Sequence, residues 1–234
     1  ELYEVSLENN ILILDHFIDW GKQYTWHVCG FTDDINPYYC YDAKNFLVNT
    51  LPINFPNNLS ILINNQNVYQ PGINILDFES LGFSLGLDKN GLPIWFTNKN
   101  NFSQSKILVT QMLETGNFIG YSTGSGYEFT IDSEIVFETP SEYQIHHEIR
   151  KTVKDTYFFI DAETEFNECP IDDCESQFGN LIAWQGDQFI EVNNLGEVLW
   201  EWSTFDYLSL DEVNLDWFYT YSVTGEFDWT HSNS

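Results

Sequence analysis

The chain repeats a short phrase of strand, polar turn and strand, and no helical stripe of any length interrupts it. The phrase is Leu85-Gly-Leu-Asp-Lys-Asn-Gly-Leu-Pro-Ile-Trp95. It returns loosely at Tyr127-Glu-Phe-Thr-Ile-Asp-Ser-Glu-Ile-Val-Phe137 and most clearly from Phe189 to Trp202. Each copy sets Asp, Asn, Gly or Ser between two apolar runs and closes on an aromatic, the signature of an antiparallel hairpin. A second phrase, Lys106-Ile-Leu-Val-Thr-Gln-Met-Leu-Glu-Thr-Gly-Asn-Phe-Ile-Gly-Tyr121, returns from Ile145 to Ile160. One hairpin of each kind makes a four-stranded sheet. Aromatic residues at 17% fit an all-β chain built this way.

Four-stranded sheets in succession are the unit of a β-propeller. The copies come at unequal intervals, with the largest insertion at Asp161 to Asn180, so the repeat defines the unit more firmly than the number of blades. The first 56 residues read differently. Tyr3–Leu7 and Asn10–Leu14 are short apolar strands, Asp19-Trp-Gly-Lys-Gln23 is a turn, and Tyr24-Thr-Trp-His-Val-Cys-Gly-Phe31 alternates with period two. Asp33-Asp-Ile-Asn-Pro37 breaks the chain before a last strand, Lys44–Thr50. This order is similar to the final strands of a fibronectin type III-like or immunoglobulin-like sandwich, which needs about seven strands where four are visible. Pro52-Ile-Asn-Phe-Pro-Asn-Asn58 is a linker. The expected organisation is a partial sandwich-like module over residues 1–56 and a partial propeller over 57–234.

The 234 residues carry 36 acidic and 8 basic side chains, a net charge of −28. Such a charge argues against nucleic acid or an anionic membrane surface as partner. No apolar run reaches the roughly 20 residues of a membrane helix. Four cysteines suggest pairs Cys29–Cys40 and Cys169–Cys174, although four allow three pairings. Neither spacing is that of a zinc site, so no metal is expected there. Disulfides place the protein in an oxidising setting: extracellular, cell-surface or periplasmic.

Candidate chemistry gathers at the end. Asp228, Trp229, His231 and Asn233 lie within Gly225-Glu-Phe-Asp-Trp-Thr-His-Ser-Asn-Ser234. On an extended strand His231 and Asn233 share a face and can offer two N–H donors to one oxyanion, although a polar strand end would read the same way. Asp161 to Glu175 holds seven acids and is either a calcium loop, without the spacing of an EF-hand, or a solvated acidic insertion. Trp95, Trp184, Trp200, Trp202 and Trp217 read mainly as core between sheets, and His16 and His27 as ordinary strand or turn residues.

Three features in order complete the pattern: His146-His147-Glu148, the hairpin ending Gly196-Glu-Val-Leu-Trp-Glu-Trp202, and Asp228-Trp-Thr-His-Ser-Asn233. Together they resemble the arylsulfotransferase (aryl-sulfate sulfotransferase) family over roughly Asn67 to Ser234. The resemblance implies a six-bladed propeller with an N-terminal β-sandwich in a secreted or periplasmic protein. It also implies sulfuryl transfer from a phenolic sulfate ester to a phenol, with no nucleotide cofactor and through a transiently sulfated histidine. His231 and Asn233 match the family's sulfate-contacting His-x-Asn. His147, directly before an acid, matches an earlier active-site histidine, with His146 beside it as a substrate contact. The family's nucleophilic histidine and its arginine fall later in the ring than Ser234. The chain is therefore expected to be inactive alone, and to be completed by further sequence or by another copy. The rival reading is a non-catalytic extracellular propeller acting in adhesion or surface assembly. A glycoside-cleaving propeller is a distant third, since no facing pair of carboxylates emerges.

Overall fold

The computed structural model describes residues 18–30, 39–52, 55, 60, 62, 65, 68, 72–168, 181–213, 226–230 and 232. It is all-β, with several antiparallel sheets, none closed among these residues. The chain divides into two units, 1–59 and 60–234.

In the first unit β1 (Gln23–Trp26), β2 (Cys29–Gly30), β3 (Tyr39–Cys40) and β4 (Lys44–Leu47) form two antiparallel pairs, β1 with β4 and β2 with β3. The single strand expected from Tyr24 to Phe31 is thus split. Its first part pairs with β4, where Tyr24 stacks on Phe46 at 5.5 Å. Its second part is drawn to β3 by the Cys29–Cys40 disulfide, which joins directly opposed residues. None of the described residues from 18 to 52 is buried. The other expected pair, Cys169–Cys174, lies outside the described residues.

The second unit is a series of meanders. The first sheet is β5 (Asn74–Phe78), β6 (Phe83–Leu87) and β7 (Pro93–Phe96). The second is β8 (Leu108–Met112), β9 (Phe118–Ser122), β10 (Ser125–Phe129) and β11 (Ile135–Glu138). The third is β12 (Ile145–Lys151), β13 (Tyr157–Glu168), β14 (Leu181–Val192) and β15 (Val198–Ser203), with β16 (Glu226–Asp228) added parallel to β14. Every hairpin marked by the repeated phrases is formed. The acidic insertion is in part a strand: residues 163–168 extend β13 and pair with 181–186 of β14.

Five of the hairpin turns share one geometry. In the loops Asp88–Leu92, Leu113–Asn117, Thr130–Glu134, Thr152–Thr156 and Asn193–Glu197 the first residue donates to the fifth residue's carbonyl, and the fourth donates back to the first. The fourth position, Gly91, Gly116, Ser133, Asp155 or Gly196, has φ between 62° and 80° apart from Gly116 at 88°. This is the three-residue loop that ends in a left-handed residue. Glycine adopts that conformation freely, and two loops manage without it. Ser133 accepts the Asn98 N–H on its Oγ, and the Asp155 carboxylate holds Lys151 and Asn194.

A second recurrence lies just beyond the outer strands. Thr97, Thr139 and Thr204 each follow an aromatic by two residues (Trp95, Phe137 and Trp202). Each buried hydroxyl accepts the backbone N–H of the strand alongside: from Ser84, Gly126 and Asp187, respectively. A buried N–H without a partner would cost about 1 to 3 kcal/mol, so the threonine extends each ladder by one bond. Ser84, Gly126 and Asp187 are therefore equivalent positions of the repeat.

Consecutive sheets stack through apolar faces. Phe102, Ile107, Phe118, Tyr127 and Phe129 form one core, against which Ile75 and Trp95 of the first sheet pack, with Trp95 stacked on Phe118 at 4.5 Å. Ile119 of the second sheet joins Ile145, Ile149, Tyr157, Phe159, Ile190 and Val192 of the third. Each large side chain so buried contributes about 2 kcal/mol. One ion pair sits inside this second interface. Glu128 on β10 accepts from Lys151 Nζ, Tyr157 Oη and Asn117 Nδ2, each at 2.7 Å. Burial opposes the charges, but these contacts outweigh it, holding Glu128 below the usual carboxylate range and Lys151 above the usual ammonium range.

Two substitutions test this framework. Gly116→Ala should cost about 1 kcal/mol in urea unfolding, because a Cβ there meets no atom within 4 Å and only the left-handed backbone resists it. A neutral result would show that the loop adopts another turn. Lys151→Met should cost about 3 kcal/mol by stranding the Glu128 carboxylate, and adding Glu128→Leu should restore most of it. Equal stability of the single variant and the wild type would remove the ion pair from the account.

Candidate functional site

The ladder between β12 and β13 is regular except at the histidine pair. Ile145 opposes Asp161 and Ile149 opposes Phe159, so His146, His147 and Glu148 together face the single residue Ile160. A bulge of this kind re-aims side chains that a regular strand would send to alternate faces. His147 takes up the excess length with φ 61°, a left-handed value unusual for a residue with a side chain. The two imidazoles meet edge to face at 5.0 Å. Backbone contacts pin the start of the bulge: Gln144 N–H donates to the Asp161 carboxylate, and Ala162 N–H donates to Gln144 O. Glu148, at its far end, is buried and paired with Arg150 Nε at 2.7 Å.

His146 Nε2 lies 2.9 Å from Asp187 Oδ1, at ion-pairing distance though off the line of the ring N–H. Asp187 comes from β14 and is almost wholly buried. Its other oxygen, Oδ2, accepts from Thr230 Oγ1 at 2.5 Å and from Ser232 N–H at 2.8 Å. The chain reaches this point by a short detour. After β15, Ser203 caps the helix α1 (Thr204–Tyr207) and a turn of 3-10 helix follows at Leu210–Glu212. β16 then runs parallel to β14, next to the residues that β15 leaves unpaired on that edge. Phe227 anchors it, buried against Trp184 at 5.0 Å in a cluster with Ile182, Phe205, Leu210, Val213 and Trp229. Strand alternation sends Asp228 to the face opposite Phe227. Trp229 N–H donates to Gln185 O, and the next residues close on Asp187.

The structure therefore brings the His146-His147 bulge and the residues Thr230 and Ser232 to one carboxylate. His231 and Asn233 lie outside the described residues, as does His16; His27 is exposed in the first unit. Asp187 did not stand out in the sequence, and Asp161 did so only as the first acid of the candidate calcium loop. Asp187 was reachable only through the phase of the repeat, as the partner of the threonine two residues after Trp202. Of the tryptophans, Trp95 and Trp184 are core, Trp200 is half exposed, and Trp217 is outside the described residues.

The basic residues nearest the bulge are occupied: Arg150 by Glu148, and Lys151 by Glu128 and Asp155. The candidate calcium ligands that can be placed, Asp161, Glu163, Glu165 and Glu168, are strung along β13, and Glu163 accepts from Ser203 Oγ. Among the described residues the sole cluster with metal-ligand geometry is His27, Cys29 and Cys40, whose sulfurs are already joined as a disulfide. No helix among them is long and apolar enough to cross a membrane.

The two buried acids titrate in opposite directions. For Asp187 burial raises the pKa, but the contacts with His146, Thr230 and Ser232 outweigh it and bring the carboxyl down to about 2. For Asp161 burial dominates and pushes it up to about 6, against the pull of Gln144 N–H and His146.

The arylsulfotransferase (ASST) family model matches residues 46–234, and the chain belongs to that family. Its class of activity is that of a transferase acting on aryl sulfates and phenols. No curated protein matches the chain.

The opposed acids predict a particular stability profile. An unfolded Asp titrates near about 3.9. Asp187 titrates lower when folded, so its contribution is present above about pH 3.9 and is lost as pH falls through about 2. Asp161 titrates higher when folded, so its favourable contribution is complete below about pH 3.9 and is lost as pH rises through about 6. Each displacement is worth about 3 kcal/mol. Melting temperatures across pH 2 to 8 should show Asp161→Asn flattening the limb between about 4 and 6 and Asp187→Asn flattening the acid limb below about 4. Profiles parallel to wild type would remove these groups as the source.

Proposed function

We propose that this chain supplies part of a site for nucleotide-independent sulfuryl transfer from a phenolic sulfate ester to a phenol. What carries the reading is the meeting of the two histidine motifs at Asp187: His146 on one carboxylate oxygen, Thr230 and Ser232 on the other. The family match over residues 46–234 supplies the class of reaction. The chemistry proceeds in two displacements. An imidazole nitrogen attacks the ester sulfur, the S–O bond to the donor aryl group breaks, and the phenolate leaves and takes a proton. The acceptor phenol's oxygen then attacks the sulfur of the sulfated histidine, its proton passes to a base, and the N–S bond breaks.

In this reading His147 and His231 act on the reacting group, and His146 and Asn233 hold the sulfate oxygens. Imidazole suits both tasks because it can donate a hydrogen bond or a proton near neutrality. The attacking nitrogen is expected from a histidine later in the ring, as is an arginine on the sulfate. The stacked meanders support part of a six-bladed propeller over residues 57–234. The paired strands before it support a partial fibronectin- or immunoglobulin-like module over 1–56. The Cys29–Cys40 disulfide fits an extracellular, cell-surface or periplasmic protein.

The test is turnover of 4-nitrophenyl sulfate with phenol as acceptor by the natural protein, without added nucleotide. His231→Ala and His147→Ala should each lower kcat by about 10²-fold, the scale for losing one donor to the transition state. His27→Ala should leave it unchanged. A folded natural protein that transfers no sulfuryl group, and forms no sulfated histidine detectable by mass, would favour a non-catalytic role in adhesion or surface assembly.

A further inference from the structure

The threonine contact of the repeat does not itself require a carboxylate at position 187. Ser84 and Gly126 occupy the same phase in the first and second sheets, and each gives its N–H to the following threonine as Asp187 does. Neither of those two sheets places a carboxylate at this position itself, although in the first the Ser84 hydroxyl donates to the Asp77 carboxylate on the neighbouring strand. The third places a buried carboxylate there, between polar groups carried by two elements that no ladder joins directly: among the described residues β12 pairs with β13, and β16 pairs with β14. Oδ1 faces His146, Oδ2 faces Thr230 and Ser232, and the backbone N–H beneath is fixed by Thr204. A buried charge tolerates little slack, because lengthening any of these contacts leaves it uncompensated.

We propose that Asp187 is a positioning residue of the sulfuryl-transfer site, holding the His146-His147 bulge and the residues Thr230 and Ser232 at one fixed separation. The proposal rests on the sulfotransferase reading above. In this role Asp187 acts through His146, Thr230 and Ser232 and not on the reacting atoms. It sets where the imidazoles stand, and misplacement by about 1 Å can cost about 10²-fold in rate.

Two measurements on the natural protein test it. With 4-nitrophenyl sulfate and phenol, Asp187→Ala should lower kcat by about 10²-fold with little change in KM, and Thr230→Val, which removes one of the three contacts, should fall between it and wild type. Thr97→Val removes the equivalent buried hydroxyl of the first sheet; it should lower the melting temperature and leave kcat unchanged. An Asp187→Ala enzyme within about threefold of wild-type kcat, or a Thr97→Val enzyme that loses as much, would overturn the proposal. The second measurement needs no turnover. The His146 imidazole 15N resonance and the Ser232 backbone amide resonance should both move in Asp187→Asn while the His27 imidazole stays in place. If only His146 moves, Asp187 does not link the two motifs and the proposal fails. If both move and no sulfuryl group is transferred, the link stands and the sulfotransferase reading falls.

Discussion

A buried carboxylate has to be answered on all sides, and the third sheet is arranged around answering one. Asp187 has His146 of the β12 bulge at ion-pairing distance and receives hydrogen bonds from the side chain of Thr230 and the backbone of Ser232, while Thr204 takes up its own N–H. Removing an isolated carboxylate from water is far too costly for the fold to carry without such partners. That requirement explains local features that otherwise look unrelated. The bulge at His146 breaks a regular ladder, α1 turns the chain off β15, and β16 joins β14 in parallel where every other strand pairing among the described residues is antiparallel. Each of these departures brings a partner, or the segment that carries one, to the same place.

The surrounding framework is conservative by comparison. Three meanders repeat one turn geometry and one threonine contact, and they stack through aromatic and β-branched faces. Glu128 and Lys151 cross the second of these interfaces as a buried pair with Tyr157 and Asn117. Such a pair adds little net stability over an apolar contact of the same shape, but it penalises any other alignment of the two sheets. The sheets that carry the site are thus fixed in register by charge as well as by packing.

Much of this framework was legible in the sequence because hairpins announce themselves locally. Asp88-Lys-Asn-Gly-Leu92 and Asn193-Asn-Leu-Gly-Glu197 contain the residues their turns demand, and the flanking alternation gives the strands. Loops closed by Ser133 and Asp155 were harder, since their left-handed residues are held by Asn98 and by Lys151, contacts distant in sequence or outside the loop. The split of Tyr24–Phe31 between two partners followed from the Cys29–Cys40 register, which alternation cannot reveal. At the site, the two histidine motifs were visible as unusual clusters and as a resemblance to a family. Asp187 was not, because an Asp in Gln185-Gly-Asp-Gln188 looks like any polar strand residue until its partners arrive from β12 and from the chain beyond β16. Side-chain convergence across forty residues has no local signature.

The net charge of −28 looks unfavourable for a chain assigned to a family that handles anionic esters. What an anion meets is the local field, since charges more than about 10 Å away are largely screened at physiological salt. Near the bulge the acids are individually neutralised. Glu148 is matched by Arg150, and Asp187 has its oxygens covered by His146, Thr230 and Ser232. Asp161, pushed up to about 6 by burial, carries less than a full charge in mildly acidic solution, and Gln144 N–H answers what remains. The excess of negative charge is thus kept off the bulge by pairing and burial. What an anion meets at the bulge is set by these paired and buried groups, and the protein's distant acids act on it only through a screened background.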